Sequence, residues 1–146
     1  MSALRRLPSW VLYALGSALF AGLTALFGKA AVLEMDPDLV AVLRTVVILA
    51  LLGGVAAAKG AWRRSGAFPA RGLLFIVLSG AATGLSWLCY YRALRGGPLS
   101  RVAPIDKLSV AVAMGLAAVL LGETVSWRAA AGGALIVAGA VLVATG

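Results

Sequence analysis

Asp106 and Lys107 sit side by side at the mouth of an uncharged, apolar run from Leu108 to Gly122. Ionisable groups are costly at membrane depth, so a pair placed there is a candidate for binding a solute or handling a proton. Arg44 repeats the pattern as the single charge in the run 39–58. Polar and aromatic residues recur at helical spacing on two stripes. Tyr13, Ser17, Phe20 and Thr24 form one; Ser79, Thr83, Ser86 and Tyr90, with Trp87 beside it, form the other. Rings present a face to apolar or cationic groups and hydroxyls present hydrogen bonds, which is the chemistry of reversible recognition. The candidate solute-binding set is Tyr13, Ser17, Thr24, Arg44, Thr83, Trp87, Tyr90, Asp106 and Lys107. A structural alternative stands beside each. Hydroxyls in helices bond back to their own backbone, an arginine near a helix end snorkels to the interface, and Asp106 can pair with Arg44 or Lys107 without ever titrating. Burial would favour the protonated form of Asp106 and its basic neighbours the charged form.

Covalent chemistry has little to work with. The chain has no histidine, so no His-and-Cys metal cluster and no Ser/His/Asp set can form. No GxxxxGK[ST] loop is present to cradle a nucleotide phosphate. The single cysteine, Cys89, lies inside an apolar run and permits no intramolecular disulfide. Neither an enzyme nor a cofactor or metal is expected.

These residues must be positioned by helices in a membrane. The 146 residues are 62% hydrophobic, well above the roughly 45–50% of soluble domains. Uncharged or nearly uncharged runs recur at about 8–28, 39–58, 72–92, 102–122 and 128–145. Each is long enough to cross about 30 Å of hydrocarbon as a helix. The expected fold is all-α, one domain of five transmembrane helices over 1–146. The first run is too long for a signal peptide and lacks an A-x-A-like cleavage site, so it is read as the first span. Asp36-Pro37-Asp38 has the form of a helix start, with an N-cap acid, proline at the first position and a second acid at the positive dipole end. Ser100 is placed to cap the fourth span and Thr124 or Ser126 the fifth. Pro104 costs a hydrogen bond or bends the start of the fourth span. Glu123 reads as a helix-end contact.

The formal charge of +8 does not indicate nucleic acid, because the bases lie in short connectors without a basic face interleaved with aromatics. They follow the up-and-down path of the chain. Arg5, Arg6, Lys59, Arg63, Arg64, Arg71 and Arg128 fall at one end of the bundle; Lys29, Arg44, Arg92, Arg95, Arg101 and Lys107 fall at the other. The first group suits the cytoplasmic side of an inner membrane, with the N-terminus inside. The bias is weak enough that insertion in both orientations stays open.

Three features carry a resemblance. Tyr91-Arg92-Ala93-Leu94 closes the third span, Val102-x-Pro104 opens the fourth, and Gly122-Glu123 ends it before a connector containing Trp127 and a Gly/Ala-rich fifth span. In that order they resemble the EamA domain of the drug/metabolite transporter superfamily. The likeness covers spans three to five well and spans one and two by pattern. Most members look like two tandem five-span units, whereas this chain has one, like the small five-span bacterial and archaeal members. The resemblance implies a secondary carrier of small metabolites or drugs. Because five is odd, a tandem copy sits inverted, and inverted repeats build alternating access around a midplane site. A single unit would need its other half from an antiparallel second copy or a paired five-span relative. The expected partners are therefore membrane lipid, a small-molecule solute and that second unit. The first span carries no carboxylate, which argues against small multidrug-type export through a first-helix acid. Two other readings remain: a flippase-like subunit moving an anionic lipid headgroup, and a non-transporting scaffold packed through Gly80-x-x-x-Gly84 and the glycines of the fifth span.

Overall fold

The computed structural model describes residues 8–64, 66 and 68–146, so Arg5 and Arg6 lie outside the described residues. The fold is all-helical, with no strand among the described residues. In chain order the helices are α1 (Ser9–Glu34), α2 (Pro37–Ala58), the single turn α3 (Ala61–Arg64), α4 (Ala70–Gly96), α5 (Leu99–Asp106), α6 (Ser109–Leu120) and α7 (Trp127–Thr145). Five segments are long and apolar enough to cross a membrane: α1, α2, α4, the α5–α6 pair and α7. The turn α3 in the basic connector has no counterpart in the sequence reading.

Local chemistry sets the helix ends. Asp36 caps α2, its carboxylate accepting from the Asp38 and Leu39 amides at 2.9 and 3.3 Å, with Pro37 at the first position. Ser126, not Thr124, caps α7 by accepting from the Ala129 amide at 3.2 Å. Ser100 caps nothing, because α5 already begins at Leu99 behind Pro98 and places Ser100 in its first turn. Beyond α6, Gly122 adopts φ 66°, a left-handed conformation that glycine takes without a Cβ penalty. That requirement explains the glycine of the Gly-Glu pair. α1 runs six residues past the expected boundary at Gly28, and Lys29 sits inside it.

The path up and down brings the C-termini of α1, α4 and α7 to one end, with the N-termini of α2 and α5 between them. This end holds most of the buried core: Val32, Val40, Ala41, Tyr91 and Leu94. Gly28 lets α1 come close to α4 here, for a Cβ at that position would lie 2.9 Å from Tyr91 Cε1. Three negative dipole ends gathered together attract cations, and basic side chains answer each. The Lys29 ammonium donates to the carbonyls of Leu94 (2.6 Å) and Gly97 (3.0 Å) at the end of α4. Arg95 donates to the Met35 carbonyl just past α1 (2.8 Å). Arg101 donates to the Gly146 carbonyl just past α7 (2.8 Å). Towards the other end, side chains such as Leu74, Ile76, Leu120 and Leu135 are exposed, as expected of a surface solvated by lipid tails or by a neighbouring protein.

Candidate functional site

The site forms where the fourth span breaks. Pro104 has no amide hydrogen for the Ser100 carbonyl, so the helical ladder is already one bond short. The chain then tightens: the Lys107 amide bonds to the Pro104 carbonyl, Leu108 to Ile105 and Val110 to Lys107, each at 3.0 Å and three residues back. α5 therefore ends at Asp106 and α6 starts afresh at Ser109. The disturbance expected at the start of the span is thus a tightened turn three residues after the proline, with Lys107 and Leu108 still in right-handed helical conformation. Asp106 and Lys107 are carried on that break. Interrupted membrane helices are tolerated where the freed backbone faces protein or a water-filled space.

α5 packs on α1, α4 and α7, whereas α6 runs along α7. The space left between α1, α4 and the α5–α6 break is a cavity of about 690 Å³. Small residues of α1 make its floor: Ala14, Ser17, Ala18, Ala21, Gly22, Thr24 and Ala25. α2 contributes Arg44, α4 contributes Ser86, Trp87 and Tyr90, and the broken span contributes Ala103, Asp106, Lys107 and Ser109. Arg44 lies seven residues into α2 and Asp106 seven residues into α5. At 1.5 Å per residue both sit about 10 Å below the core end, roughly a third of the way across the hydrocarbon.

Seven of the nine sequence candidates thus line one space: Ser17, Thr24, Arg44, Trp87, Tyr90, Asp106 and Lys107. Two do not. Tyr13 is 80% exposed on the outer surface of α1. Thr83 lies with Ser79, Gly80 and Gly84 in a separate groove between α2 and α4, and its hydroxyl bonds back to the Ser79 carbonyl at 2.8 Å. A groove between α6 and α7 is lined only by Ala, Gly, Val and Met and offers a solute no polar side chain.

Electrostatics in the cavity are simple. Asp106 pairs with Lys107 at 3.2 Å, and the Asp106 side chain is about one-third exposed. Arg44 pairs with neither. It turns inward, its Nη1 donating to the Tyr91 hydroxyl at 2.5 Å, and its guanidinium carbon stands 4.1 Å from the centre of the Trp87 ring. A cation over an indole face is stabilised by the ring quadrupole, more so away from water. Tyr91 is the residue the sequence reading passed over. It is 1% exposed, packs edge-on to Tyr90 and holds Arg44 in place. It follows Tyr90 directly and so points about 100° around the helix from the polar stripe, and its only signal was its place in the Tyr-Arg-Ala-Leu run.

A bundle of five membrane-spanning helices, with a polar cavity beside a broken span, has the architecture of a membrane transport protein. The chain belongs to the EamA-like transporter family, whose model matches residues 8–145. It is similar to an "Uncharacterized transporter in cobO 3'region" of Sinorhizobium sp, 46% identical over 136 residues, which cover 93% of this chain and 96% of that protein. That relative is therefore also about one five-span unit long. No solved structure matches.

Proposed function

We propose that the protein is a secondary carrier, not driven by nucleotide hydrolysis, that moves small metabolites or drugs by alternating access as a pair of oppositely inserted units. The observation that carries this reading is the cavity on the break in the fourth span. It places Arg44, Trp87, Tyr90, Asp106 and Lys107 around one space at membrane depth, beneath an end closed by core packing. A carrier needs a space of this kind within the span of the membrane. Discontinuous helices are how several carriers expose backbone and charge at a binding site.

In this reading the solute rests against Ser17, Thr24, Trp87 and Tyr90, and Asp106 is the proton-linked group. When Asp106 takes a proton, its ion pair with Lys107 loses its attraction. The break in the fourth span is then free to shift, which couples the proton to the path. Tyr13 and Thr83 face elsewhere in one unit, so a role for them would require the second unit. The N-terminal end lies in the cytoplasm of an inner membrane, in keeping with Lys59, Arg63, Arg71 and Arg128 at that end. The relative's single-unit length favours pairing between chains over a tandem duplicate.

The test is proton-driven uptake into proteoliposomes by the Asp106→Asn variant. The expected result is loss of the proton dependence, with solute exchange retained. Unchanged coupling would remove Asp106 from the mechanism. Reporter fusions at both termini address the pairing: signal from each terminus on both sides of the membrane is expected, and a single fixed orientation would defeat an antiparallel homodimer.

A further inference from the structure

The cations towards the core end divide by what they bind. Lys29 is held by the carbonyls of Leu94 and Gly97, Arg95 by that of Met35 and Arg101 by that of Gly146. Arg92 is paired with Asp38 and Lys107 with Asp106. Among the described residues, Arg44 has neither a carboxylate nor a carbonyl. Its one hydrogen bond is to a neutral tyrosine hydroxyl, and an indole face covers one side of it. A guanidinium carries five N–H donors in a rigid fork, and one of them is engaged here. Since Asp106 and Lys107 neutralise each other, the cavity has one net positive charge, on the half-buried Arg44. A charge so placed is stabilised by an opposite charge within reach, and the fork geometry matches a planar carboxylate or a phosphate.

We propose that Arg44 is the seat of an anionic group, a carboxylate or phosphate, on the molecule this cavity takes up. Trp87 stacks on the guanidinium and Tyr91 fixes its Nη1, so the remaining donors keep one direction. The rest of the molecule lies along Tyr90 and the small residues of α1. The proposal rests on the carrier reading and gives its solute a charge. The anion belongs either to a small organic acid in water or to a phospholipid headgroup reaching in from the bilayer, and the two sources share this chemistry.

The experiment uses the full chain in phosphatidylcholine nanodiscs and equilibrium dialysis of labelled 2-naphthoate against 2-naphthamide, its neutral counterpart. The acid is expected to bind at least about tenfold more tightly, the scale of a charge-assisted hydrogen-bonded contact. Arg44→Gln is expected to abolish that preference and Arg44→Lys, which keeps the charge without the fork, to retain part of it. Arg92→Gln removes a nearby cation outside the cavity and is expected to leave the preference unchanged. A second arm measures phosphate retained by protein purified from membranes containing phosphatidylglycerol. Retained phosphate that disappears in Arg44→Gln and is displaced by naphthoate assigns the seat to a lipid headgroup. A preference for naphthoate without retained phosphate assigns it to a soluble acid. Equal binding of acid and amide, with equal phosphate in wild type and Arg44→Gln, overturns the proposal. Should Arg44→Gln fail to fold, the acid–amide comparison and naphthoate displacement in the wild type decide alone. Failure of the carrier reading is seen separately, as absence of flux of acid, amide or amine in proteoliposomes. Flux of the amide without preference for the acid would sink the anion seat and leave the carrier standing.

Discussion

Replacing Gly28 by alanine tests how the core end holds the site. A Cβ at Gly28 would lie 2.9 Å from Tyr91 Cε1 and 3.7 Å from both the Tyr91 hydroxyl and Leu94 Cδ1. Tyr91 and Leu94 are 1% and 0% exposed, so neither ring nor methyl can swing into open space. Carbon atoms at ordinary contact stand about 3.5–4.0 Å apart, so the ring or the helix must give by at least half an ångström or so. Overpacking of this kind costs about 1–3 kcal/mol. Alanine in a helix also gains about 0.5–1 kcal/mol over glycine, which opposes the clash. Gly16→Ala isolates that gain, because nothing lies within 4 Å of its would-be Cβ. The quantity to compare is therefore the stability of Gly28→Ala relative to Gly16→Ala, read from reversible unfolding in mixed micelles. We predict Gly28→Ala to be less stable by about 1–3 kcal/mol. Because Tyr91 holds Arg44, the same substitution is predicted to disturb the cavity. The double variant Gly28→Ala/Tyr91→Leu should recover part of the deficit, giving a coupling energy of the sign expected for direct contact. Equal stability of the two alanine variants, or strict additivity in the double variant, would refute the packing described here.

Two further outcomes are expected. Lys29→Met removes two charged-donor bonds to carbonyls at the end of α4 and is predicted to cost roughly 1.5–3 kcal/mol in the same unfolding assay; a neutral result would mean that α4 ends as well without that cap. Cys89 is exposed on α4, seven residues and thus about 10 Å before its C-terminal end, within the run read as the third span. It is predicted to react with a membrane-permeant maleimide much faster than with a charged thiosulfonate, and similar rates would place that face of α4 in water.

The spans were legible because the bilayer fixes both the length and the polarity of what crosses it, and 62% apolar residues leave few alternatives. Their ends were less so. Lys29 looked like the start of a connector, since charge ordinarily marks the membrane boundary, yet it lies within α1 and takes the C-terminal carbonyls of α4. That partner is contributed by a helix 65 residues away, and no local pattern encodes it. Pro104 announced a disturbance but not its position. Proline removes one bond, and where the ladder reforms depends on what packs against the next turn. The stripes found the face of α1 that lines the cavity at Ser17 and Thr24 but overran it at Tyr13, because a stripe has a direction and no end. Arg44 could be read as snorkelling or inward from sequence alone, and it was Tyr91 and Trp87, both on α4, that settled its direction.

Three helices point one way through the bundle and two point the other. The surplus amounts to one uncancelled macrodipole, worth about half an elementary charge at each end, positive where α1, α4 and α7 begin. Across a potential of 100 mV, negative inside, that charge separation favours the cytoplasmic placement of the α1 start over the opposite one by about 2 kcal/mol. One copy held in a single orientation would therefore feel the membrane voltage directly. Two copies in opposed orientations would annul each other's polarity, so that voltage would act on such a pair only through the ions and solutes it moves.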